Sequence, residues 1–305
     1  MSTEHTVDAS RIHHDWDSSR EPVLVIRSGD VVHLDLPITG EGQVTETSAI
    51  EDVQWDFETI YNLAGPIYVE DATPGATLEV EVVELTPGPW GWTTIIPEQG
   101  LLPSDFPQPF LKIFDLRGRS TAIVAPGVEV PIQPFLGTMG VPTDIPGRVS
   151  PFPPHKGGGN VDCRHLIPGS TLWLPIWCEG ALFSCGDAHA AQGDGEVCVS
   201  AVECAMSATL RFHVRERTSA GPAFTTPHAV GAPGPYYGTM GIDADLMEGA
   251  RTAVRNMISW LVEEHGLNRE DAYVLCSLAG DLRIHEIVDA GVWNVGLTMP
   301  LAVFV

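Results

Sequence analysis

The sequence has few basic residues. Its 305 residues include 16 Lys and Arg against 40 Asp and Glu, which gives a formal net charge of −24 at pH 7. Nucleic acids and anionic membrane surfaces are themselves negatively charged and would repel such a chain. We therefore expect neither of them as a partner, and we expect a neutral or cationic small molecule as the ligand.

The sequence also lacks the segments that direct a chain into or across a membrane. It contains no run of about 18 uninterrupted apolar residues, the length that predicts a membrane-spanning helix. Residues 1–19, MSTEHTVDASRIHHDWDSS, show no basic start followed by an apolar stretch, so they do not resemble a signal peptide. These features predict a cytoplasmic protein.

Paired cysteine motifs are missing as well. The six cysteines form no CxxC pair, and most of them lie within apolar, strand-like segments. This pattern predicts buried, reduced thiols and disfavours a zinc site built from thiolates. Cys185 precedes Asp187 by two residues and His189 by four, so a nucleophilic cysteine is an alternative, although the LFSC segment around it predicts core packing.

Glycine and proline, by contrast, are frequent. The 31 Gly and 25 Pro separate short segments rich in Val, Ile, Leu and Thr, a pattern typical of many short strands. The clearest predicted strands are 22–28, 30–36, 77–85, 121–127, 171–177 and 208–216. In TLEVEVVEL, at 77–85, apolar and acidic side chains alternate, so one face of this strand should be buried and the other wet.

Helical periodicity appears late in the chain. Apolar residues recur at helical spacing across 243–265, with Asp243 available as the N-cap and Gly266 as the terminator. A second helix is predicted over 268–279, with Asn268 as its cap. Two helices after many strands predict a mainly β fold with α+β elements, arranged as a two-layer antiparallel β-sandwich or a barrel-like structure.

The chain shows no convincing internal boundary. Its hydrophobic content of 44% supports a sizeable core, and no low-complexity linker divides it, so we expect a single domain over 1–305. The segment FLGTMGV at 135–141 is similar to YYGTMGI at 236–242, and both are predicted to be Gly-rich turns. This similarity leaves open an internal duplication into two related β subdomains, at about 1–145 and 146–305.

Ionisable residues concentrate in one stretch, ALFSCGDAHAAQGDGEVCVSAVE at 181–203. In an extended strand residues i and i+2 share a face, so Asp187 and His189 should converge there. The two glycines of the following QGDGE allow a sharp turn that brings Glu196 back towards them. Such oxygen and nitrogen donors suit Zn²⁺ or a similar divalent ion, but the spacing alone also fits an acidic hairpin facing solvent.

A second Gly-rich stretch, KGGGNVDCRHLIPGSTLWLP, begins at Lys156. Its three consecutive glycines allow a ligand to approach the backbone, and Asn160 and Asp162 lie one strand step apart. The alternative is a flexible loop that leads into a strand. Asp162 becomes a site candidate if it reaches the cluster around His189.

Several of these motifs resemble the acetamidase/formamidase family. The resemblance runs from about residue 65 onward, through GPIYVEDATPGATLEVEVVEL, GGGNVD and the helical segments, and is densest over 169–197. The family's GGN-x-D pattern matches Gly158, Gly159, Asn160 and Asp162, and its GD-x-H-x-x-QGDGE pattern matches 186–196. The resemblance implies an amidohydrolase that converts a linear amide and water to a carboxylate and ammonia. It further implies a strand-rich, two-layered fold, a homo-oligomer and a divalent metal, with zinc the first expectation and calcium the second.

The resemblance also suggests a role for each site residue. The predicted metal ligands are Asp162, Asp187 and His189. Glu196 is the predicted general base, which takes a proton from water and passes it to the departing ammonia. Gln192 and Asn160 are the predicted hydrogen-bond donors to the oxyanion.

Other function classes remain alternatives. A Cys-dependent amidase or lactamase would use Cys185 and need no metal, and a non-catalytic β module would only bind a metal or a small molecule. The substrate is also open among formamide, acetamide, a lactam and a carbamate.

Overall fold

The computed structural model describes residues 2–228, 234–289 and 291–304. Its strands are Glu4–Val7 (β1), Ile12–His13 (β2), Leu24–Ile26 (β3), Val31–Leu36 (β4), Leu63–Val69 (β5), Thr77–Ile95 (β6), Phe110–Asp115 (β7), Thr121–Ala125 (β8), Val128–Pro131 (β9), Phe135–Gly140 (β10), Gly158–Asn160 (β11), Thr171–Pro175 (β12), Phe183–His189 (β13), Glu203–Arg215 (β14), Ala223–Thr226 (β15), Tyr236–Asp243 (β16), Asp281–Glu286 (β17) and Trp293–Pro300 (β18). Each of the six strands predicted from the sequence overlaps one of these.

Two α-helices follow the main run of strands, as predicted: Leu246–His265 (α1) and Arg269–Ala279 (α2). Short 3₁₀ turns occur at Ile50–Asp52 and Leu301–Val303. In the described residues no helix has the length and apolar character needed to cross a membrane.

The caps of these helices follow local chemistry. Asp245, rather than the predicted Asp243, caps α1 by accepting hydrogen bonds from the backbone N–H groups of Met247 and Glu248, because Asp243 still belongs to β16. Gly266 ends α1 with φ 66°, a left-handed conformation that suits glycine. The side chain of Asn268 accepts from the Asp271 N–H and caps α2, as predicted.

Sixteen of the strands form one hydrogen-bonded sheet, whose longest path runs β11-β10-β13-β14-β6-β12-β15-β16-β18-β17. The remaining two, β8 and β9, pair as a separate hairpin. Pairing is antiparallel except between β1 and β4 and between β3 and β5. The mainly β prediction with late helices is confirmed, and within the described ranges the strands form an open, branched sheet and no closed barrel.

The sheet branches because four of its strands, β5, β6, β13 and β14, each pair with three others. β6 spans 19 residues and pairs with β14, β12 and β7. The ladder between β6 and β14 is interrupted between Cys204 and Met206 and again between Thr209 and Leu210, and such bulges bend and twist a strand. Along β6, buried Leu78 and Val80 alternate with partly exposed Glu79 and Glu81, so the predicted two-faced pattern is confirmed.

Close backbone packing brings β10, β11 and β13 together. Gly158–Asn160, for which a flexible loop was the alternative, pairs as β11 with β10, which in turn pairs with β13. A Cβ on Gly140 would collide with the backbone nitrogen of Gly159, so these strands approach as only glycines allow. The two similar segments are likewise strands, β10 and β16, and not turns. The domain division stays a prediction.

Candidate metal and active site

A group of ionisable side chains lies where β11, β13 and β14 meet the loops around them. We call it the central cluster, and its members are Asp162, Asp187, His189, Glu196, Glu203 and Asp289. None of these residues is more than 8% exposed. Carboxylates are almost never buried to this extent unless they are paired with a cation or a metal, so the cluster requires a chemical explanation.

The backbone is unusual at three of these residues. Asp162, Asp187 and Glu196 have φ values of 44°, 51° and 47°, in the left-handed region that residues other than glycine rarely adopt. Such conformations cost about 1–3 kcal/mol each and concentrate at functional sites. The conformation of Asp187 also breaks the regular alternation of β13, so the convergence of Asp187 with His189 does not depend on a simple two-residue repeat.

The imidazole of His189 lies at the centre of the cluster. Its Nε2 is 3.1 Å from Glu203 Oε2, 3.5 Å from Asp187 Oδ1 and 4.0 Å from Glu196 Oε1. Its Nδ1 is 3.6 Å from Asp162 Oδ1. The structure therefore brings together the three predicted metal ligands and the predicted general base.

Several polar atoms of the cluster form no hydrogen bond of normal geometry with another protein atom, even where a charged atom lies nearby. They are both carboxylate oxygens of Asp162, both ring nitrogens of His189 and Oε2 of Glu203. Across the described ranges, the ion pairs of these carboxylates that lie within 4.0 Å involve His189 and no lysine or arginine.

Two triplets of ligand atoms are close enough to bind an ion: Asp162, His189 and Glu196, and Asp187, His189 and Glu203. The atoms of each triplet lie within 4.8 Å of one another. One imidazole with several carboxylates is a donor set that suits zinc, and the oxygen-rich side of the cluster also suits calcium.

The electrostatics of the cluster favour added positive charge. Burial raises the pKa of Asp162 well above its usual range, and the neighbouring Glu196 raises it further. Burial likewise raises the pKa of Glu196, with Asp289 contributing. Burial alone would lower the pKa of His189, but the carboxylates of Glu203 and Asp187 outweigh it and hold that pKa well above its usual value.

A cavity of about 340 Å³ opens onto the cluster. Asp187, Glu196, Glu203 and Asp289 line its floor, and Thr39 beside them donates a 2.8 Å hydrogen bond to Asp187 Oδ1. Its aromatic lining residues are Phe57, Tyr61, Trp92 and Phe152. The cavity therefore combines apolar walls with a few convergent polar groups, the usual make-up of a small-molecule site.

The two amides predicted as oxyanion donors lie beside the cluster with their N–H groups engaged. Asn160 Nδ2 donates to Asp289 Oδ2 at 2.5 Å and to the Tyr61 hydroxyl at 3.1 Å. Gln192 Nε2 donates to the backbone carbonyl of Asp162 at 3.1 Å. Both amides therefore hold neighbouring parts of the site in place.

Sequence reasoning did not assign a role to Glu203, Asp289 or Tyr61. Glu203 lies directly opposite His189 in the pairing of β13 with β14, and its position in the acidic stretch was a usable signal. Asp289 is 100 residues beyond His189 and Tyr61 is 126 residues before Asp187, so no local pattern links them to the site.

Gly137 on β10 covers the cluster. A Cβ at this position would lie 2.7 Å from Asp162 Oδ1, 2.7 Å from His189 Cε1 and 2.8 Å from Asp187 Oδ2. These distances are shorter than any ordinary contact, so a side chain here would displace the predicted ligands. The glycine of FLGTMGV is thus part of the site.

Cys185 lies on β13, and its surroundings disfavour a role as a nucleophile. Its side chain is completely buried, and it is absent from the lining of the cavity. Burial also raises the pKa of its thiol far above the usual value, which opposes formation of the thiolate. These observations disfavour the Cys-dependent alternative.

The chain is similar to known amidases. An acetamidase of Mycolicibacterium smegmatis is 26% identical over an alignment of 248 residues, with a coverage of 61% of this chain and 61% of that protein. A formamidase of Methylophilus methylotrophus is 25% identical over an alignment of 243 residues, with a coverage of 61% of this chain and 60% of that protein. The aligned region thus spans about three fifths of the length of these curated relatives.

The fold and the whole sequence point the same way. The crystal structure of an acetamidase from Bacillus halodurans superimposes with a TM-score of 0.89 at 29% identity, covering 98% of each chain. The sequence model of the Acetamidase/Formamidase family matches residues 1–146 and 148–305. The chain therefore belongs to the acetamidase/formamidase family.

Proposed function

We propose that this protein hydrolyses a small linear amide, of the formamide or acetamide type, to a carboxylate and ammonia. The observation that carries the proposal is the central cluster: buried carboxylates around one imidazole, facing a cavity of about 340 Å³. Membership of the family, and relatives named acetamidase and formamidase, support it.

We propose that Asp162, Asp187 and His189 hold a divalent metal ion, zinc in the first place and calcium in the second, with Glu203 as a further ligand. The orphaned oxygens of Asp162, the ring nitrogens of His189 and Oε2 of Glu203 fit such an ion. When bound, it would polarise an amide carbonyl and lower the pKa of water in the site.

Glu196 is the proposed general base. It lines the cavity, and its raised pKa suits a group that must take up and release a proton near neutral pH. It would take a proton from the attacking water as the oxygen bonds to the amide carbon. As the C–N bond breaks, it would pass that proton to the leaving nitrogen, which departs as ammonia.

Gln192 and Asn160 remain the proposed oxyanion donors. Both N–H hydrogens of Asn160 are engaged, so its use requires one of these hydrogen bonds to be exchanged when substrate binds, whereas Gln192 has a second N–H besides the one that donates to the Asp162 carbonyl. We add the Tyr61 hydroxyl to these candidates, because it lines the cavity and accepts from Asn160, which leaves its own hydrogen to donate. Burial raises the pKa of Tyr61, so the hydroxyl stays protonated.

The lining of the cavity also proposes a substrate preference. Four carboxylate side chains at its floor would repel an amide that carries its own carboxylate, whereas its aromatic walls accept a small apolar substituent. We therefore expect acetamide and propionamide to be turned over much faster than succinamate.

The test is ammonia release from formamide, acetamide and a carbamate, together with ring opening of a lactam to its amino acid, with the metal content of the same preparation measured by mass spectrometry. We expect ammonia from the linear amides and a divalent metal in the purified protein. Chelator-resistant activity that disappears in Cys185→Ala would replace the proposal with a Cys-dependent enzyme, and no turnover of any of these compounds would favour a binding module. A homo-oligomer and a cytoplasmic location stay predictions.

A further inference from the structure

A second group of metal-ligating side chains lies behind the central cluster. We call it the two-histidine cluster, and it consists of His165, His285 and Asp194. His165 is 1% exposed and His285 0%, whereas the Asp194 side chain is 29% exposed. One ring nitrogen from each histidine and one carboxylate oxygen of Asp194 lie within 4.8 Å of one another.

The histidine nitrogens of this cluster are unpaired. Both ring nitrogens of His165 and Nδ1 of His285 have no hydrogen-bond partner in the protein. Stacking of the His165 ring on Phe224, with the planes 6° apart, accounts for the apolar faces of the ring but not for its nitrogens. A buried polar group without a partner is destabilising, so packing alone is a poor explanation for three of them.

Neighbouring residues set the orientation of His285. Its Nε2 is 3.8 Å from the buried Sγ of Cys163. Gly296 faces the same nitrogen, and a Cβ at that position would collide with it. This arrangement leaves Nδ1 as the free nitrogen, much as a hydrogen bond on one side of a metal-bound histidine orients the other side towards the ion.

We propose that His165, His285 and Asp194 form a second binding site for a divalent transition-metal ion of the zinc type, outside the amidase site. Two imidazoles and one carboxylate are a usual donor set for zinc, and they leave a position for water. Zinc with bonds of about 2.0–2.1 Å needs its ligand atoms about 3.4 Å apart, so the exposed Asp194 side chain has to move inward on binding.

Both histidines are ready to donate a lone pair at neutral pH. Burial lowers the pKa of His165 to about 4 and that of His285 to about 3. Neither ring therefore has to lose a proton before it binds an ion, and the partly exposed Asp194 marks the route by which the ion enters.

Arg283 is the competing partner in this arrangement. Its Nη1 lies 3.2 Å from Asp194 Oδ2, and its Nη2 lies 3.6 Å from Asp281 Oδ2. An ion at the two-histidine cluster would take Asp194 away from Arg283, while Arg283 keeps Asp281. The alternative is that Asp194 only forms an ion pair with Arg283. Removal of the arginine should strengthen zinc binding in the first case, whereas in the second case no zinc binds with or without it.

The second site would join the segments that build the first. His165 follows Asp162 by three residues, Asp194 precedes Glu196 by two, and His285 precedes Asp289 by four. The Gly195 N–H donates to the carbonyl of His285 at 2.9 Å, so two of these segments already touch. An ion held by all three would fix the loops that carry Asp162, Glu196 and Asp289.

The experiment measures zinc directly. The full chain, its metals removed by a chelator, is titrated with Zn²⁺, and the bound zinc is counted by mass spectrometry. This is done in an Asp187→Asn background, which weakens the central site. We expect His285→Gln and Asp194→Asn to bind about one zinc fewer per chain than their parent, whereas His213→Gln, the matched control, binds as many as the parent. Arg283→Gln should bind this zinc at least 5-fold more tightly.

Asp194→Asn keeps the test informative if a buried histidine variant fails to fold, since Asp194 is partly exposed. Equal zinc binding in the parent, His285→Gln and Asp194→Asn would overturn the proposal and leave a polar pocket filled by water. Because the readout is zinc and not ammonia, this outcome is independent of whether the protein proves to be an amidase.

Discussion

Asp15 and Asp162 are both buried aspartates, yet their surroundings shift the pKa of the carboxyl group in opposite directions. The Asp15 side chain is 6% exposed and accepts from Arg20 at 2.5 Å and from Arg148 at 2.7 Å. Burial would raise its pKa, but these two arginines outweigh burial and lower it. The Asp162 side chain is 0% exposed, its nearest cation is His189 at 3.6 Å, and its pKa is raised.

The difference shows which buried carboxylate is neutralised by the protein's own side chains and which would need a cation from solution. The sequence contains only 16 Lys and Arg, and the fold places two of them at Asp15, where the charge is structural. The central cluster instead has one imidazole for five carboxylates. A buried negative charge without a partner is expensive, so the cluster supports the proposal that a cation from solution binds there.

Replacing Glu196 should have the largest effect on turnover. Glu196→Gln removes the proton carrier but keeps the size of the side chain, so we expect kcat for amide hydrolysis to fall by about 10²–10⁴-fold. The metal content should stay at the wild-type level, which mass spectrometry will show. Glu58→Gln, which changes an exposed carboxylate, is the control. Full turnover by Glu196→Gln would contradict the general-base proposal.

A methyl group at Gly137 should displace side chains of the central cluster. In Gly137→Ala the new Cβ would press on Asp162, Asp187 and His189, and a displacement of about 1 Å at reacting groups costs about 10²-fold in rate. We expect a loss of this size in kcat/KM together with weaker zinc binding in a calorimetric titration. Gly193→Ala has nothing within 4 Å of its Cβ and serves as the control. Equal activity of the two variants would show that the contact is unimportant.

The two buried aspartates should respond to neutralisation with opposite signs. Asp15→Asn leaves Arg20 and Arg148 without their carboxylate and should lower the free energy of unfolding by about 1–3 kcal/mol. In chelator-treated protein, Asp162→Asn removes one of several mutually repelling charges and should raise that free energy. Urea unfolding of the metal-free proteins checks both, and a change of the same sign in both variants would break the comparison.

The smallest effect concerns His13, which lies beside Asp15. Burial lowers its pKa from 6.5 to about 4, with Arg20 adding to the shift. Between these two pH values the unfolded chain holds a proton that the folded chain does not, so stability falls as the pH falls. One such proton changes the free energy of unfolding by about 1.4 kcal/mol per pH unit.

His13→Gln should therefore flatten the dependence of stability on pH by about 1 kcal/mol between pH 7 and 5.5, measured by urea unfolding at each pH. His33→Gln, which changes a half-exposed histidine, should leave the slope as it is. An unchanged slope in His13→Gln would mean that the ring takes up its proton over the same pH range in the folded and in the unfolded protein.

Local sequence was a good guide where structure depends on neighbours in the chain. The alternation of TLEVEVVEL, the apolar spacing of 246–265 and the terminator Gly266 all act over a few residues, and the structure confirms each. The N-cap was misplaced by two residues because Asp243 and Asp245 are equally good caps, and only the end of β16 decides between them.

The site was predictable in part for the same reason. Asp187, His189 and Glu196 lie within ten residues of one another, and a Gly-rich motif marked Asp162. Glu203 joins them through the strand pairing that places it opposite His189, and Asp289 joins them from the far end of the chain through Asn160. No periodicity records such contacts.

By itself, the sequence determined a strand-rich chain with two late helices, a shortage of basic residues, and an acidic, glycine-turned stretch resembling one enzyme family. These properties follow from composition and from short-range patterns. Only the tertiary structure decided that the sheet stays open and branched, that Gly137 covers the cluster, and that five carboxylates share one imidazole. These outcomes depend on which distant segments pack together around the site. The pKa of a carboxylate follows from its burial and from the charged groups beside it, and the residue type alone sets neither.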